Sequence, residues 1–453
     1  MRLKLLNIQE VSERHLCCGC GACAYAAPEL IRMIDSPTQG RRPIVNRGWE
    51  SLTAAAMTVC PGVALEHMFD GHQMESVQGR DFAWGPVLEV WEGYAADPEV
   101  RLAGSSGGAA TALSLFAIEQ AGMHGVLHIA ARPDVPYLNH TVLSRSRAEM
   151  LSRTGSRYAP ASPCDGLQMV EDAPAPCVFI GKPCDVAATA KAQALRPALD
   201  AKLGLTIAVF CAGTPSTQGT LEMLKAMGVA DPATVTGVRY RGNGWPGNAV
   251  VTTRDAQGNE SRHEMTYAES WGGILEKHRQ WRCYVCVDHS GEFADIAVGD
   301  PWYKPPADGE LGRSLLLVRT SRGRKILAAA IAAGYIVAER ADPKIVEASQ
   351  KGFPEVRGSV WGRLLICRLF GVATPQYRNM PMFRFWWGRL TLKQKAQSLF
   401  GTVKRIFRKR LRQRAVCTPI DPAVSFAAPH PSIMDKTFSA TASTPGAKAT
   451  RPG

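Results

Sequence analysis

Residues 177–194 read CVFIGKPCDVAATAKAQA: a short apolar run, a Gly-Lys-Pro turn, then alanine-rich sequence. The first part has the length and composition of a buried strand, and the second has helical character. The pattern recurs over 203–229, LGLTIAVFCAGTPSTQGTLEMLKAMGV. Upstream, SSGGAATALSLFAIEQAG (105–122) opens with Ser/Gly capping signals and runs apolar at helical spacing; GVLHIAA (125–131) follows as a strand. Downstream, RSLLLVRTSRGRKILAAAIAAGYIVAER (313–340) predicts a strand, a helix and another strand. Strands and helices alternating in this way predict an α/β domain with substantial parallel pairing. Ligands of such sheets gather beyond the carboxyl ends of the strands, where Cys184 and Cys211 both fall.

Those two are among 13 cysteines in a chain of 453 residues, long enough for two or three domains. No apolar run reaches about 18 residues and the N-terminus lacks an apolar core, so the expectation is a cytoplasmic protein without signal peptide or spanning helix. In a reducing compartment clustered thiols hold metal or do redox chemistry rather than form a disulfide framework.

Cys17, Cys20 and Cys23 form C-x₂-C-x₂-C within CCGCGACAYAAPEL (17–30). A ferredoxin-type run continues to a Cys-Pro four residues on, and here Ala27 precedes Pro28. A later Cys-Pro-Gly at Cys60 offers the fourth thiolate, with Cys18 left spare. This spacing suits a cubane cluster and leaves little room for a tetrahedral zinc loop. Cys283 and Cys286 are a second close pair; they need partners, for which Cys184 and Cys211 are the candidates. Spacing alone leaves zinc and cluster both open for this second set. Cys164, Cys177, Cys367 and Cys417 read as small buried hydrophobes.

The net charge of +13 sits at one end. From Val356 onward there are 18 lysines and arginines against Asp421 and Asp435, so the preceding residues total −3. A chain-wide nucleic-acid reading thereby loses its support. Within 391–416, Leu392, Leu399, Val403, Ile406 and Leu411 recur at roughly helical spacing, among Lys404, Arg405, Arg408, Lys409, Arg412 and Arg414. That composition fits a helix lying on an anionic membrane surface; the rival is a basic helix packed on the body or bound to an acidic partner. The Ala/Ser/Thr/Pro-rich end from about Thr418 predicts disorder.

Taken in order, CCGCGACAYAAP…CPG, SGGAATAL, SRYAPASP, FIGKPCDVAA, IAVFCAGTPS, VRYRGNGWPG and WRCYVCVDHSGEFADIAVGDPW resemble the coenzyme F(420) hydrogenase/dehydrogenase beta-subunit family, which includes 7-hydroxymethyl chlorophyll a reductase. The resemblance covers about residues 15 to 305 and implies an iron–sulfur flavoprotein oxidoreductase. It assigns one 4Fe-4S cluster to Cys184, Cys211, Cys283 and Cys286, close to FAD in the α/β domain, and a ferredoxin-like cluster to Cys17, Cys20, Cys23 and Cys60. The implied fold is α/β: a central mixed or parallel-sheet FAD domain (81–355), a small ferredoxin-like segment (1–80), a basic, partly helical region (356–417) and a disordered tail (418–453).

Candidate flavin contacts are Ser106, Gly107 and Gly108 at a helix N-terminus, where free N–H groups and the dipole favour phosphate, with Thr111 one turn on. A plain helix cap is the alternative there. Arg157, Tyr158 and Lys182 are flavin or substrate contacts, and Asn243, Gly244 and Trp245 form a loop able to line a flat ring. His289 and Asp300 are titratable neighbours of the second cysteine pair, expected in a salt bridge or cap. An external donor such as a ferredoxin would supply electrons through the clusters to FAD and on to an organic substrate. The rivals are an electron-transfer subunit with no substrate of its own, and a zinc-stabilised membrane-associated scaffold. The resemblance spans several substrates, deazaflavin and chlorophyll pigment among them.

Overall fold

The computed structural model describes residues 3–46, 48–67, 83–305 and 309–420. The tail from 421 and the end of the first segment, 68–80, lie outside the described residues.

The body is an eight-stranded mixed sheet. Its strands are β1 (Glu89–Ala95), β2 (Val126–Ala131), β3 (Asn139–Ser144), β4 (Cys177–Gly181), β5 (Leu203–Val209), β6 (Ile296–Gly299), β7 (Ser314–Val318) and β8 (Ile336–Arg340). They lie in the order β8-β1-β7-β6-β5-β4-β2-β3. The central run β2-β4-β5-β6 is parallel, and the outer pairs are antiparallel. Each predicted strand–helix unit is present: α1 (Ala109–Glu119), α2 (Pro183–Gln193), α3 (Thr217–Ala226) and α4 (Ser321–Ala332) occupy the anticipated stretches.

Successive strand residues point to opposite faces, which explains two separate cores. Phe179, Ala208, Leu315 and Leu317 bury against Val186, Ala188 and Ala192 of α2. Their neighbours Val178, Ile207, Leu316 and Val318 bury against Leu113 and Phe116 of α1 and Leu327 of α4. A strand apolar on both faces is what a sheet covered by helices on both sides requires. A smaller antiparallel sheet (Val235–Arg239, Ala249–Arg254, Glu260–Met265) flanks the body.

The N-terminal cysteine segment and the basic C-terminal region share one core. Ile8, Val11, Leu16, Cys17, Cys23 and Cys60 pack with Val360, Leu364, Cys367, Ile406 and Leu411. Strand Gln376–Arg378 also pairs in parallel with Ala64–Glu66. The C-terminal helices are α5 (Phe353–Leu369), α6 (Phe383–Gly388) and α7 (Leu392–Arg408). Glycines at 358 and 362 let these helices approach closely: a Cβ on Gly358 would meet the Trp386 nitrogen at 2.8 Å, and one on Gly362 would meet Ser398.

The structure corrects the reading of α7. Ile406 and Leu411 are buried in the shared core instead of facing outward, and the inward stripe is completed by Ser398 and Thr402. A second apolar stripe faces solvent: Leu392, Phe400 and Phe407 are 83%, 73% and 60% exposed. The helix stops at Arg408, where Arg410 adopts φ +51° and Leu411 N–H reaches back to the Ile406 carbonyl at 3.0 Å. That is a Schellman-type ending, and it carries Leu411 past the helix. Among the described residues no helix is long and apolar enough to cross a membrane.

Candidate functional site

A cavity of about 600 Å³ opens beyond the carboxyl ends of β4, β5 and β6. Ile180–Lys182, Val209–Pro215 and Val298–Asp300 bring its floor from those strand ends. This is where an α/β sheet collects a ligand, because backbone groups past the last strand pairing are free to bind one. A second wall is the N-terminus of α1. Gly108 caps that helix at φ +72°, where a Cβ would meet the Val100 carbonyl at 2.7 Å, and no side chain caps the first turn. The N–H groups there are thus left for an anion.

Ser106, Gly108, Thr111, Arg157, Tyr158 and Lys182 line this cavity. Gly107 lies behind the wall, its N–H donating to Ser314 Oγ at 2.9 Å. Arg157 is fully engaged, donating to the Asn139 side chain and to the Pro136 and Val238 carbonyls at 2.7 and 3.0 Å. Asn243 lines a second cleft, and Gly244 lines neither.

The sequence singled out Trp245 and Asp300 separately, but not the aromatic–ionic group they form with Arg241. Arg241 donates to both Asp300 oxygens at 2.6 and 2.8 Å, and Trp245 Nε1 donates to Asp300 Oδ1 at 2.7 Å. Asp300 is therefore in the anticipated salt bridge. Trp302 stacks on Tyr267, their centroids 5.7 Å apart, and Trp271 lies 4.7 Å from Tyr158. Arg241, Tyr267, Trp271 and Trp302 all line the cavity, offering flat apolar faces beside a held ion pair. For Tyr267 and Trp271, the aromatic-rich stretch TYAESWGG (266–273) was the available signal in the sequence.

Cys211 and Cys283 also line the cavity, and both stand beside Cys286. Thr214 N–H points at Cys283 Sγ at 3.3 Å. Cys184 faces a different neighbour: its thiol is within hydrogen-bonding reach of Cys18, which also reaches Cys20. Cys20 in turn meets Cys164. Cys17, Cys23 and Cys60 group together, and Gly19 N–H points at Cys17 Sγ at 3.3 Å. The residue left spare in the sequence thus stands between the two predicted sets, and Cys164 lies beside one of them. All 13 cysteines are free thiols. Among the described residues no three His, Cys, Asp or Glu side chains converge as on a single metal ion.

Burial pushes the Cys60 and Cys211 thiols up to about 12, with neighbouring thiols adding to the effect. Lys182 answers part of this charge. Burial works against its ammonium, but Asp185 at 2.6 Å and the Cys184 and Cys211 thiols outweigh it and hold its pKa above the ordinary lysine value. Arg282 is the second cation, 2% exposed. It donates to the Pro61 carbonyl at 3.0 Å, while its Nε and Nη1 are buried without a hydrogen-bond partner. Cys18, Cys184 and Cys286 are close enough for their charge to act on it. A buried cation with unsatisfied donors is costly unless negative charge accompanies it. Anionic thiolate-ligated clusters would provide that charge, so the donor set and its surroundings fit the groups the resemblance implies. His289 closes the wall: its Nδ1 donates to the Cys211 carbonyl at 2.6 Å, leaving Nε2 buried as an unpartnered acceptor.

Two stretches of the chain match the family described as coenzyme F420 hydrogenase/dehydrogenase, beta subunit: residues 90–168 match its N-terminal part and residues 176–344 its C-terminal part. Together these cover more than half of the chain. The F420-dependent formate dehydrogenase 1 subunit beta of Methanococcus maripaludis is 25% identical over 270 residues, 58% of this chain. This chain spans 64% of that relative's length. The coenzyme F420 hydrogenase subunit beta of Methanosarcina barkeri is 26% identical over 256 residues, covering 52% of this chain and 77% of the relative. A chain of the xenon-derivatised F420-reducing [NiFe] hydrogenase complex of Methanosarcina barkeri aligns with TM-score 0.45 and 22% identity, over 62% of this chain and 95% of that one. The chain belongs to the coenzyme F420 hydrogenase/dehydrogenase beta-subunit family.

Proposed function

We propose that this member of the family is an iron–sulfur flavoprotein oxidoreductase working with a redox partner protein and acting on an organic substrate. The observation that carries the reading is the continuity of thiols and cavity: Cys211 and Cys283 line the cavity, and Cys286 stands beside them. Cys17, Cys20, Cys23 and Cys60 would hold an outer 4Fe-4S cluster, and Cys184, Cys211, Cys283 and Cys286 an inner one. In this reading the α1 N-terminus takes the FAD phosphates, and the cavity floor takes the ring. When bound, clusters supply single electrons, and a flavin couples them to two-electron chemistry.

The chain's own groups have separable roles. Lys182 and Arg282 balance negative charge near the thiols. The Asp300–Arg241 pair fixes Trp245, and with it the aromatic mouth that excludes water. His289 Nε2 is a fixed acceptor at the cavity wall, held in one tautomer by the Cys211 carbonyl. The family relatives are named as beta subunits, which supports a protein partner for the thiol-rich side; a ferredoxin is one such donor.

For the C-terminal region we propose contact with an anionic bilayer surface. Its support is the exposed stripe of α7 together with Trp387, 67% exposed, on a stretch whose charged residues are all basic between Glu355 and Asp421.

Anaerobically purified protein treated with reduced methyl viologen tests the redox reading. The expected result is bleaching of a bound flavin's visible absorbance; protein with no chromophore to bleach contradicts it.

A further inference from the structure

A second cleft, about 530 Å³, adjoins the main cavity and shares the stretch Arg153–Arg157 with it. It runs between the β2–β3 edge of the large sheet and the small antiparallel sheet. Arg153, Arg157, Arg239, Arg262 and His140 line it, and among the described residues no Asp or Glu does. Arg153, Arg157 and Arg239 share one concave wall that no carboxylate lines, and like charges so placed repel each other unless an anion is present.

The wall is built to hold these groups in place. Arg239 donates to the Ala103 carbonyl at 3.1 Å and makes no ion pair among the described residues. Room for it depends on two glycines. A Cβ on Gly242 (φ +129°) would come within 2.5 Å of Arg239 Nη1, and one on Gly155 (φ +100°) within 3.2 Å. Only glycine adopts those backbone angles without strain. Arg153 is anchored by Ser144 Oγ at 2.6 Å and likewise lacks an ion pair among the described residues. His140 Nδ1 is buried with no hydrogen-bond partner. Arg262, paired with Glu264, stands at the exposed rim.

We propose that this cleft seats a phosphate or diphosphate group belonging to an elongated organic ligand whose other end reaches the main cavity. Arg153 and Arg239 are its principal contacts. Guanidinium forks match phosphate oxygens in geometry as well as charge. The proposal rests on the main cavity being the redox site, since that gives the ligand's other end its purpose. The phosphate belongs to a diffusing substrate, since the α1 N-terminus takes the flavin's phosphates in the reading above.

The test titrates inorganic pyrophosphate into the full-length purified protein and measures flavin content alongside. Wild type should bind, more weakly as salt rises. Arg153→Gln with Arg239→Gln should weaken binding roughly tenfold per arginine, as expected for hydrogen bonds to a charged group. Arg239→Lys, which keeps the charge, guards against misfolding and should lose less than the Gln variant. Flavin content should be unchanged in the weakened variant; flavin lost in parallel would overturn the proposal by assigning the arginines to the cofactor. Pyrophosphate binding that is absent in wild type, or equal in wild type and the double variant, overturns the proposal. Flavin-free, iron-free protein that still binds pyrophosphate would instead remove the redox reading and leave the cleft standing.

Discussion

The eight-stranded sheet and the cysteine-rich collar beside it are stabilised on opposite terms. The sheet buries Leu315, Leu316, Leu317 and Val318 in succession, apolar on both faces, with helices over each. The collar buries thiols and cations. Arg42, Arg282, Arg363 and Trp281 each leave a polar atom buried without a partner there. A core of the first kind is complete from protein atoms alone, whereas the second is not, because each orphaned polar group costs about 1–3 kcal/mol. On the proposed reading, the collar's stability comes from what its thiols bind and the sheet's from its side chains.

Removing iron with a chelator under anaerobic conditions should have the largest effect on that contrast. Amide hydrogen exchange would rise sharply over residues 16–24 and 282–287, while β4 to β7 stay protected; equal deprotection of both regions would abolish the distinction. Next in size is Glu292→Gln, at the ion pair that ties the sheet side to α5. Burial works to raise this carboxyl's pKa, but Arg357 and His67 pull it down to about 2. A depressed carboxylate contributes stability that is fully present above its unfolded value of about 4.3 and lost as pH falls toward about 2. The substitution leaves Arg357 buried without its counter-charge and should cost about 3–5 kcal/mol at neutral pH. In thermal unfolding its deficit should shrink as acid is added.

Cys60→Ser sharpens the division inside the collar. Iron should fall by about four per chain with the flavin retained; loss of the flavin as well would merge the two thiol sets into one functional unit. The smallest effect is at the surface. Phe400→Ser with Phe407→Ser should reduce co-sedimentation with vesicles containing phosphatidylglycerol and leave phosphatidylcholine vesicles indifferent. Undiminished sedimentation would remove the bilayer contact.

The body was legible in the sequence because its signals are local. An apolar run, a Gly/Pro turn and a capped alanine-rich helix need no distant partner to be read, and 177–193 and 203–226 folded as expected. The placement of Cys184 and Cys211 beyond strand ends followed from the same logic. What depends on contacts across the chain was not legible. Cys18 meets Cys184 across more than 160 residues, and Arg241 meets Asp300 across 59. Helix α7 shows a subtler limit: its sequence carries two apolar stripes, and only the packing against α5 decides that Ile406 turns in and Phe407 turns out. Asn243 and Gly244 shared a turn with Trp245, yet only Trp245 reaches the ionic group at the mouth.

We propose that one chain holds two clusters and a flavin. Iron, acid-labile sulfide and flavin counted together on anaerobically purified protein test it most directly. The account predicts about eight iron and eight sulfide per chain with one FAD. Colourless protein carrying zinc, without sulfide or flavin, would contradict it.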